Sequence, residues 1–471
     1  MPIGSVLPAF AALMLFAVPP TTISADSPDL AASARRLPVG SSLTLIGLPL
    51  DAALPKAALE LERFEVFARD AKVVIHREKG EEILPAPANA YFRGRVAGDP
   101  DSTAILTVRA QGGVRGLAAQ SGRMWVMESG DDGRLAARTI DFARDLGDRD
   151  FSCATDRLVG PPDTAAADAS LPLLPSVPDW ASATHTARIA VETDNEFLAK
   201  FSGNLANATD YVGDLFAYSS TIYERDLRTT MVVSHLSLWT AADPWAETGT
   251  TCGLYEFGGY WNNNNGGVSR TVAHFLSGKA NGGGVAWIGV LCRGGFSTAA
   301  PNGCSTISGT SNFGGGYGYS GNLLANFNIN SPAIVWDLEV VSHEIGHNFN
   351  SPHTHCYGNI GGDANPVDAC YAGQCGSTGC YCGGTSLPGL DSLTGGAAGG
   401  HDGTIMSYCH LLGGGLPNIA LTFGAEHRYG IAANRVSTRM YSHVTSVAAG
   451  NPSCLAYQAG SSDIIFRDGF Q

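Results

Sequence analysis

One stretch constrains this chain more than any other: His343-Glu344-Ile345-Gly346-His347-Asn348-Phe349-Asn350-Ser351-Pro352-His353. In a helix of 3.6 residues per turn, His343 and His347 share a face and present two imidazoles to a single point. Glu344 is rotated by about 100° from His343, beside that point without being aimed at it. Asn350 tolerates the left-handed conformation better than most residues after Gly, so it can end the helix and turn the backbone. His353 can then return to the same point. Three neutral imidazoles with one open position form the ligand set of a catalytic zinc ion, whereas structural zinc takes four protein ligands. Glu344 is the candidate general base for a zinc-activated water. A surface helix that merely carries histidines would need neither Asn350 nor His353.

Upstream of this stretch, Ser331-Pro332 is a start signal, with Ser at the cap and Pro at the first helical position. Ile334, Leu338, Val341 and Ile345 then follow at spacings of four, three and four, an apolar stripe that should face the core and leave His343 and His347 directed elsewhere.

The chain has 471 residues, 44% of them hydrophobic, enough for more than one folding unit. A net charge of -14 argues against affinity for phosphate backbones or anionic membranes, so nucleic acid is not an expected partner. Pro8 to Val18 is apolar but too short to span a bilayer, and it is followed by polar Thr21-Thr22 and the small exit residues Ser24-Ala25. Residues 1–25 therefore read as a secretory signal peptide, although no Lys or Arg precedes the apolar run. No later run is long enough for a membrane anchor, which predicts a secreted, extracellular protein. Eleven cysteines in such a compartment predict disulfides with one thiol left over. Ten lie beyond Trp180, and Cys153 stands apart upstream.

Short alternating runs at 42–46, 72–76, 104–108 and 124–127, separated by turn signals, predict an antiparallel β unit. Residues 160–178 are Pro/Ala-rich and read as an exposed linker open to proteolysis. Beyond Trp180 the pattern changes. Strands are expected at 187–193, 229–236 and 284–291, with helices at 204–225, 269–277 and 423–444, the last burying Ile431, Val436 and Met440. Alternating strands and helices predict an α/β unit. The Gly-rich region between Cys356 and Cys409 lacks apolar material and should depend on disulfides; a second metal site at Cys380-Tyr381-Cys382 is the alternative. His355 reads as a solvated histidine, His274 as a helix-surface or core residue, and His401 and His410 as loop residues.

The histidine stretch, with a later Gly403-Thr404-Ile405-Met406-Ser407-Tyr408, resembles the metzincin metalloproteases, whose motif ends in a Met-turn. The likeness is greatest to the adamalysin or reprolysin branch, carried by His343 to Phe349, Val272 to Gly278, and Gly284 to Trp287 leading to Cys292. Asn350 stands where the family usually has Gly, and Thr354 where adamalysins typically have Asp. Tyr408 follows Met406 as in astacins and serralysins. The resemblance implies an α/β (α+β) catalytic domain over 181–445 with a twisted mixed sheet and a long zinc-binding helix. It further implies a β-rich propeptide and linker over 26–180, leaving a short tail at 446–471. Met406 would form an apolar floor under the ligands, and Tyr408 would approach zinc or stabilise the oxyanion, a packing role being the alternative. The implied activity is hydrolysis of peptide bonds in protein or peptide substrates, with an extended substrate adding to the sheet edge at 284–291.

Gly94 to Ser102 resembles the propeptide region of adamalysin-like zymogens, which would let Cys153 occupy the fourth zinc position as a latency ligand. A Cys153–Cys454 disulfide or an inert thiol are the alternatives. A secreted protein that keeps the zinc site without turnover, and a zinc amidase acting on non-protein substrates, are the rival functions. One catalytic zinc ion is the expected cofactor. Structural calcium is compatible with the sequence without being marked by it, and oligomeric state is left open.

Overall fold

The computed structural model describes residues 20–50, 56–100, 102–120, 122–147, 151–158, 183–388, 402–425 and 433–457. Residues 1–19, most of the expected signal peptide, and residues 159–182, which contain the expected linker 160–178, lie outside them, as do His401 and Ile431.

The N-terminal half contains strands β1 (Thr21–Ser24), β2 (Ser42–Leu48), β3 (Ala57–Phe64), β4 (Phe67–Arg77), β5 (Gly80–Pro85), β6 (Ala90–Val96), β7 (Thr103–Val108), β8 (Val114–Gln120), β9 (Arg123–Ser129) and β10 (Leu135–Thr139). Two short helices, α1 (Leu30–Arg35) and α2 (Phe142–Asp145), accompany them. Side chains on a strand alternate between faces; in β3, Leu59 and Leu61 go inward while Glu60 and Glu62 are half-buried. Eight strands form one sheet in the order β1-β2-β3-β6-β7-β8-β9-β10, antiparallel apart from the β1–β2 pair. Thr21–Ser24, expected at the signal-peptide exit, is thus the edge strand, and a cut after Ala25 would remove it. One face packs Leu45, Leu59, Phe92, Leu106 and Trp125 into a local core. The other sends Phe64, Tyr91, Ile105, Leu117 and Val126 into the core of the C-terminal half.

That second half has β11 (His185–Thr193), α3 (Asn195–Ala199), α4 (Leu205–Leu227), β12 (Thr229–Trp239), α5 (Thr250–Asn264), β13 (Val272–Leu276), β14 (Gly284–Ala286), β15 (Phe296–Ala299), β16 (Thr310–Gly314), β17 (Tyr317–Ser320), α6 (Ile334–Asn348), α7 (Asn434–Gly450) and β18 (Ala456–Tyr457). Its mixed sheet runs β14-β17-β13-β11-β12-β4-β5, with β18 against β11. Strands β4 and β5 come from the N-terminal half, β4 pairing parallel with β12. On one side of the sheet lie α4 and α6, crossing where Tyr223 donates to the Ser342 carbonyl at 2.9 Å. On the other lies α5, whose Leu254, Phe257 and Trp261 meet Ala273 and Phe275. The fold is therefore mixed α/β, with a β-rich N-terminal region and one long helix at its centre.

Several local expectations are corrected. Residues 269–277 hold a strand rather than a helix, because Val272 and Leu276 feed one core while Ala273 and Phe275 feed the other. The edge strand at 284 stops at Ala286, after which the Gly289 and Val290 N–H groups turn to cap the last carbonyls of α6. Residues 423–433 are not helical where described; α7 begins at Asn434 and extends to Gly450, burying Val436 and Met440. Helix α6 starts at Ile334 behind Ala333, not at Ser331. The tail is tied in by β18 and by a Cys292–Cys454 disulfide. Four further disulfides join Cys252–Cys304, Cys356–Cys380, Cys370–Cys409 and Cys375–Cys382. They occupy Cys380 and Cys382, removing the second-metal alternative, and leave Cys153 as the free thiol rather than a partner of Cys454.

Candidate metal centre

Every residue of α6 is buried, so His343, Glu344 and His347 lie inside the protein. Two imidazoles are oriented from behind: His343 Nδ1 donates to the Ile405 carbonyl at 2.7 Å and His347 Nδ1 to the Ser351 carbonyl at 2.6 Å. A carbonyl only accepts, so both protons sit on Nδ1 and both Nε2 atoms keep a lone pair able to accept or ligate. Burial pushes His343 well down and His347 to about 3, which keeps them neutral as metal ligation requires. Asn350 takes a positive φ of 79°, and the chain reverses to bring His353 back. Arg439 of α7 fixes that turn, donating to the Asn350 carbonyl and, at 3.0 Å, to its Oδ1.

Met406 is fully buried, with its carbonyl accepting from the Thr354 N–H at 3.0 Å. Its sulfur lies against Gly346, where a side chain would collide with it. The glycine between the two histidine turns thus lets the methionine approach the helix.

The structure brings Cys153 into this site. Its Sγ lies 3.3 Å from His347 Nε2, 3.4 Å from Glu344 Oε2 and 3.0 Å from Thr155 Oγ1. Ligand atoms of Cys153, His343, His347 and His353 all lie within 4.8 Å of one another, and all four residues are buried. The Nε2 atoms of His343 and His353 and Oε1 of Glu344 have no hydrogen-bond partner in the protein. Buried polar atoms are seldom left so. A divalent ion with soft and imidazole ligands fits this donor set, and zinc suits it. Burial raises both the Glu344 carboxyl and the Cys153 thiol, the nearby Glu344 carboxylate adding to the latter.

The segment carrying Cys153 lies on the sheet edge. Ala154 N–H donates to the Gly284 carbonyl at 2.9 Å and Gly284 N–H to the Ser152 carbonyl at 3.2 Å, a parallel bridge. Thr155 Oγ1 donates to the Ala286 carbonyl and accepts from its N–H, at 3.1 and 3.0 Å. Gly284 leaves room for the Glu344 carboxylate, which a side chain there would strike. The Tyr408 hydroxyl donates to the Cys153 carbonyl at 2.9 Å and accepts from its N–H at 3.1 Å, while its ring lies 4.4 Å from that of His353.

Of the other histidines, His355 departs from expectation while His274 takes the core position that was one of its two readings. His355 is buried, hydrogen-bonded to Gln374 and stacked 5.4 Å from His353, not solvated. His274 is a core residue whose Nε2 meets Ser320 Oγ at 2.9 Å. His410 is buried and donates from Nε2 to the Phe151 carbonyl at 3.0 Å, and the Phe151 ring lies edge-on to His343 at 5.0 Å. Sequence reasoning missed Phe151, Thr155 and Asp156. Each lies in the Cys153 segment, and its partner lies more than a hundred residues downstream, where no spacing rule applies.

Residues 183–410, just under half of the chain, match the family model Reprolysin_5, metallo-peptidase family M12. That match supports a zinc metallopeptidase and covers all three histidines, Met406 and Tyr408. A solved structure, metalloproteinase-II from Bacteroides fragilis, aligns at 12% identity with a TM-score of 0.37, over 74% of this chain and 93% of the other. No curated protein matches.

Proposed function

We propose that this chain is a secreted zinc endopeptidase made as a zymogen, with His343, His347 and His353 as metal ligands and Glu344 as general base. The convergence of three imidazoles and a thiol on one buried point, beside a carboxylate at a sheet edge, carries the reading. When bound there, zinc supplies a Lewis acid that acidifies water and polarises the scissile carbonyl. Glu344, as a carboxylate, takes a proton from the attacking water and delivers it to the leaving amine. A peptide substrate lies along β14 through main-chain hydrogen bonds, in the place that Ser152–Ala154 takes in this structure. With that segment gone, the Tyr408 hydroxyl that held the Cys153 backbone is free to donate to the oxyanion.

Latency follows from the same contacts. Cys153 takes the open ligand position, its segment fills the cleft, and cleavage in the 160–178 linker begins maturation. The disulfides fit an oxidising compartment, and among the described residues no helix is long and apolar enough to cross a membrane. The decisive experiment is cleavage of casein or a labelled peptide by processed protein, with and without a chelator, beside Glu344→Ala. Activity should vanish in both cases; activity that survives both overturns the reading. Cys153→Ala should yield a chain active before processing, and persistent latency would remove the switch.

A further inference from the structure

The three histidines are not held alike. His343 and His347 are oriented by carbonyls of their own half of the chain, from Ile405 and Ser351. His353 is oriented from across the cleft by Asp156, whose two carboxylate oxygens each lie 3.1 Å from its Nδ1. His353 is fully buried, and its Nε2 has no partner in the protein, so the ring is fixed at one end and open at the other. Asp156 stands in the short 3-10 turn Thr155–Arg157, directly after the Thr155 clasp on Ala286 and the Ala154 bridge to Gly284. Those anchors deliver Cys153 and Asp156, three residues apart, to opposite ends of the same ligand set.

We infer that Asp156 is a positioning residue for His353 in the latent protein, so that the N-terminal segment secures the metal as well as blocking the cleft. A carboxylate behind a ligating imidazole fixes the proton on Nδ1, holds the ring orientation and strengthens Nε2 as a donor. His347 and His343 keep their orienting carbonyls after maturation, because those belong to the catalytic half. His353 loses its partner when the segment departs. The zymogen therefore holds zinc more tightly than the processed enzyme for two separable reasons, the Cys153 thiolate and the Asp156 carboxylate. This inference rests on the metal-site reading given above.

The test uses the full chain carrying Glu344→Ala, so that it cannot cut itself, with zinc affinity measured by competition against a chromophoric chelator. Asp156→Asn, nearly isosteric on a part-exposed side chain, should weaken zinc binding about ten- to a hundredfold. Asp156→Glu should recover part of that loss. The melting temperature of the metal-free Asn variant should equal its parent's, while the rise on adding zinc shrinks. Unchanged zinc affinity in Asp156→Asn overturns the inference, as does an equal fall in metal-free stability, which would make the role structural. A different failure, in which the parent takes up no zinc or His347→Ala binds it as tightly, removes the metal-site reading and the inference with it.

Discussion

Single buried polar groups set much of the behaviour expected of this protein. Tyr408 holds the Cys153 backbone through one hydroxyl, at the place where the proposed mechanism expects a substrate carbonyl to develop charge. Tyr408→Phe in processed enzyme should lower kcat about a hundredfold with KM little changed, in line with loss of one oxyanion donor; full peptide turnover would remove that role. Glu192 is buried under Trp239 and Trp261, whose indole N–H groups donate to it at 2.8 and 2.9 Å. Burial raises its pKa from 4.5 to about 7 despite those donors. The folded state therefore keeps this proton where the unfolded state has released it. Between pH 4.5 and 7 that contribution to stability falls as pH rises, by ~3 kcal/mol in total, and is constant on either side. Denaturant titrations across this window should show the slope, and Glu192→Gln should flatten it. Glu339 buries both carboxylate oxygens without a partner. Its replacement by Met should raise stability by about 1–3 kcal/mol, read as a higher unfolding midpoint.

At the level of elements, α6 matters through its end as much as its face. The departure from glycine at position 350 has a physical basis: Asn350 accepts the left-handed φ and also gives Arg439 of α7 a side-chain oxygen. Asn350→Gly should be nearly neutral in a thermal melt, since relief of the left-handed backbone penalty offsets one lost hydrogen bond and the greater freedom of the unfolded chain. Asn350→Val should cost about 1–2 kcal/mol and loosen zinc binding, because a β-branched residue resists this conformation. Strand β14 is short because its continuation turns away to cap α6. Its remaining edge is what the Ser152–Ala154 segment covers, as edge strands generally must be paired or protected.

Across the whole molecule, the two halves share a sheet and a core. Strand β4 pairs with β12, Arg115 forms an ion pair with fully buried Asp214 of α4, and Asn89 donates to Asp210 at 2.7 Å. Arg93 meets Glu224 near the far end of the same helix. Removing one partner of a buried pair leaves a charge uncompensated, so Arg115→Ala should cost about 3–5 kcal/mol of full-chain stability. A single cut between residues 160 and 178 should leave both pieces eluting together on size exclusion, so that release of the Ser152–Asp156 segment needs further digestion of the N-terminal piece. Immediate separation at neutral pH would show that the shared core is weaker than its burial suggests.

The sequence by itself determined the chemistry-bearing helix, the β-then-α/β order and the existence of one odd thiol. Each is a local pattern: an i, i+4 histidine pair, period-two runs, a count of cysteines. It also placed His343, Glu344 and His347 on adjoining faces, since helical geometry is fixed within a turn. Sequence did not show that residues 269–277 pair as a strand, because their alternation serves two cores that exist only once the sheet is sandwiched between helices. Nor did it show that β4 leaves its own half, that His355 is buried, or which cysteines join. The partnership of Asp156 with His353, 197 residues away, was likewise decided by folding alone. A pattern can state which groups a short segment offers; which groups they meet depends on how distant segments pack, and at this site that packing sets both the ligands and their supports.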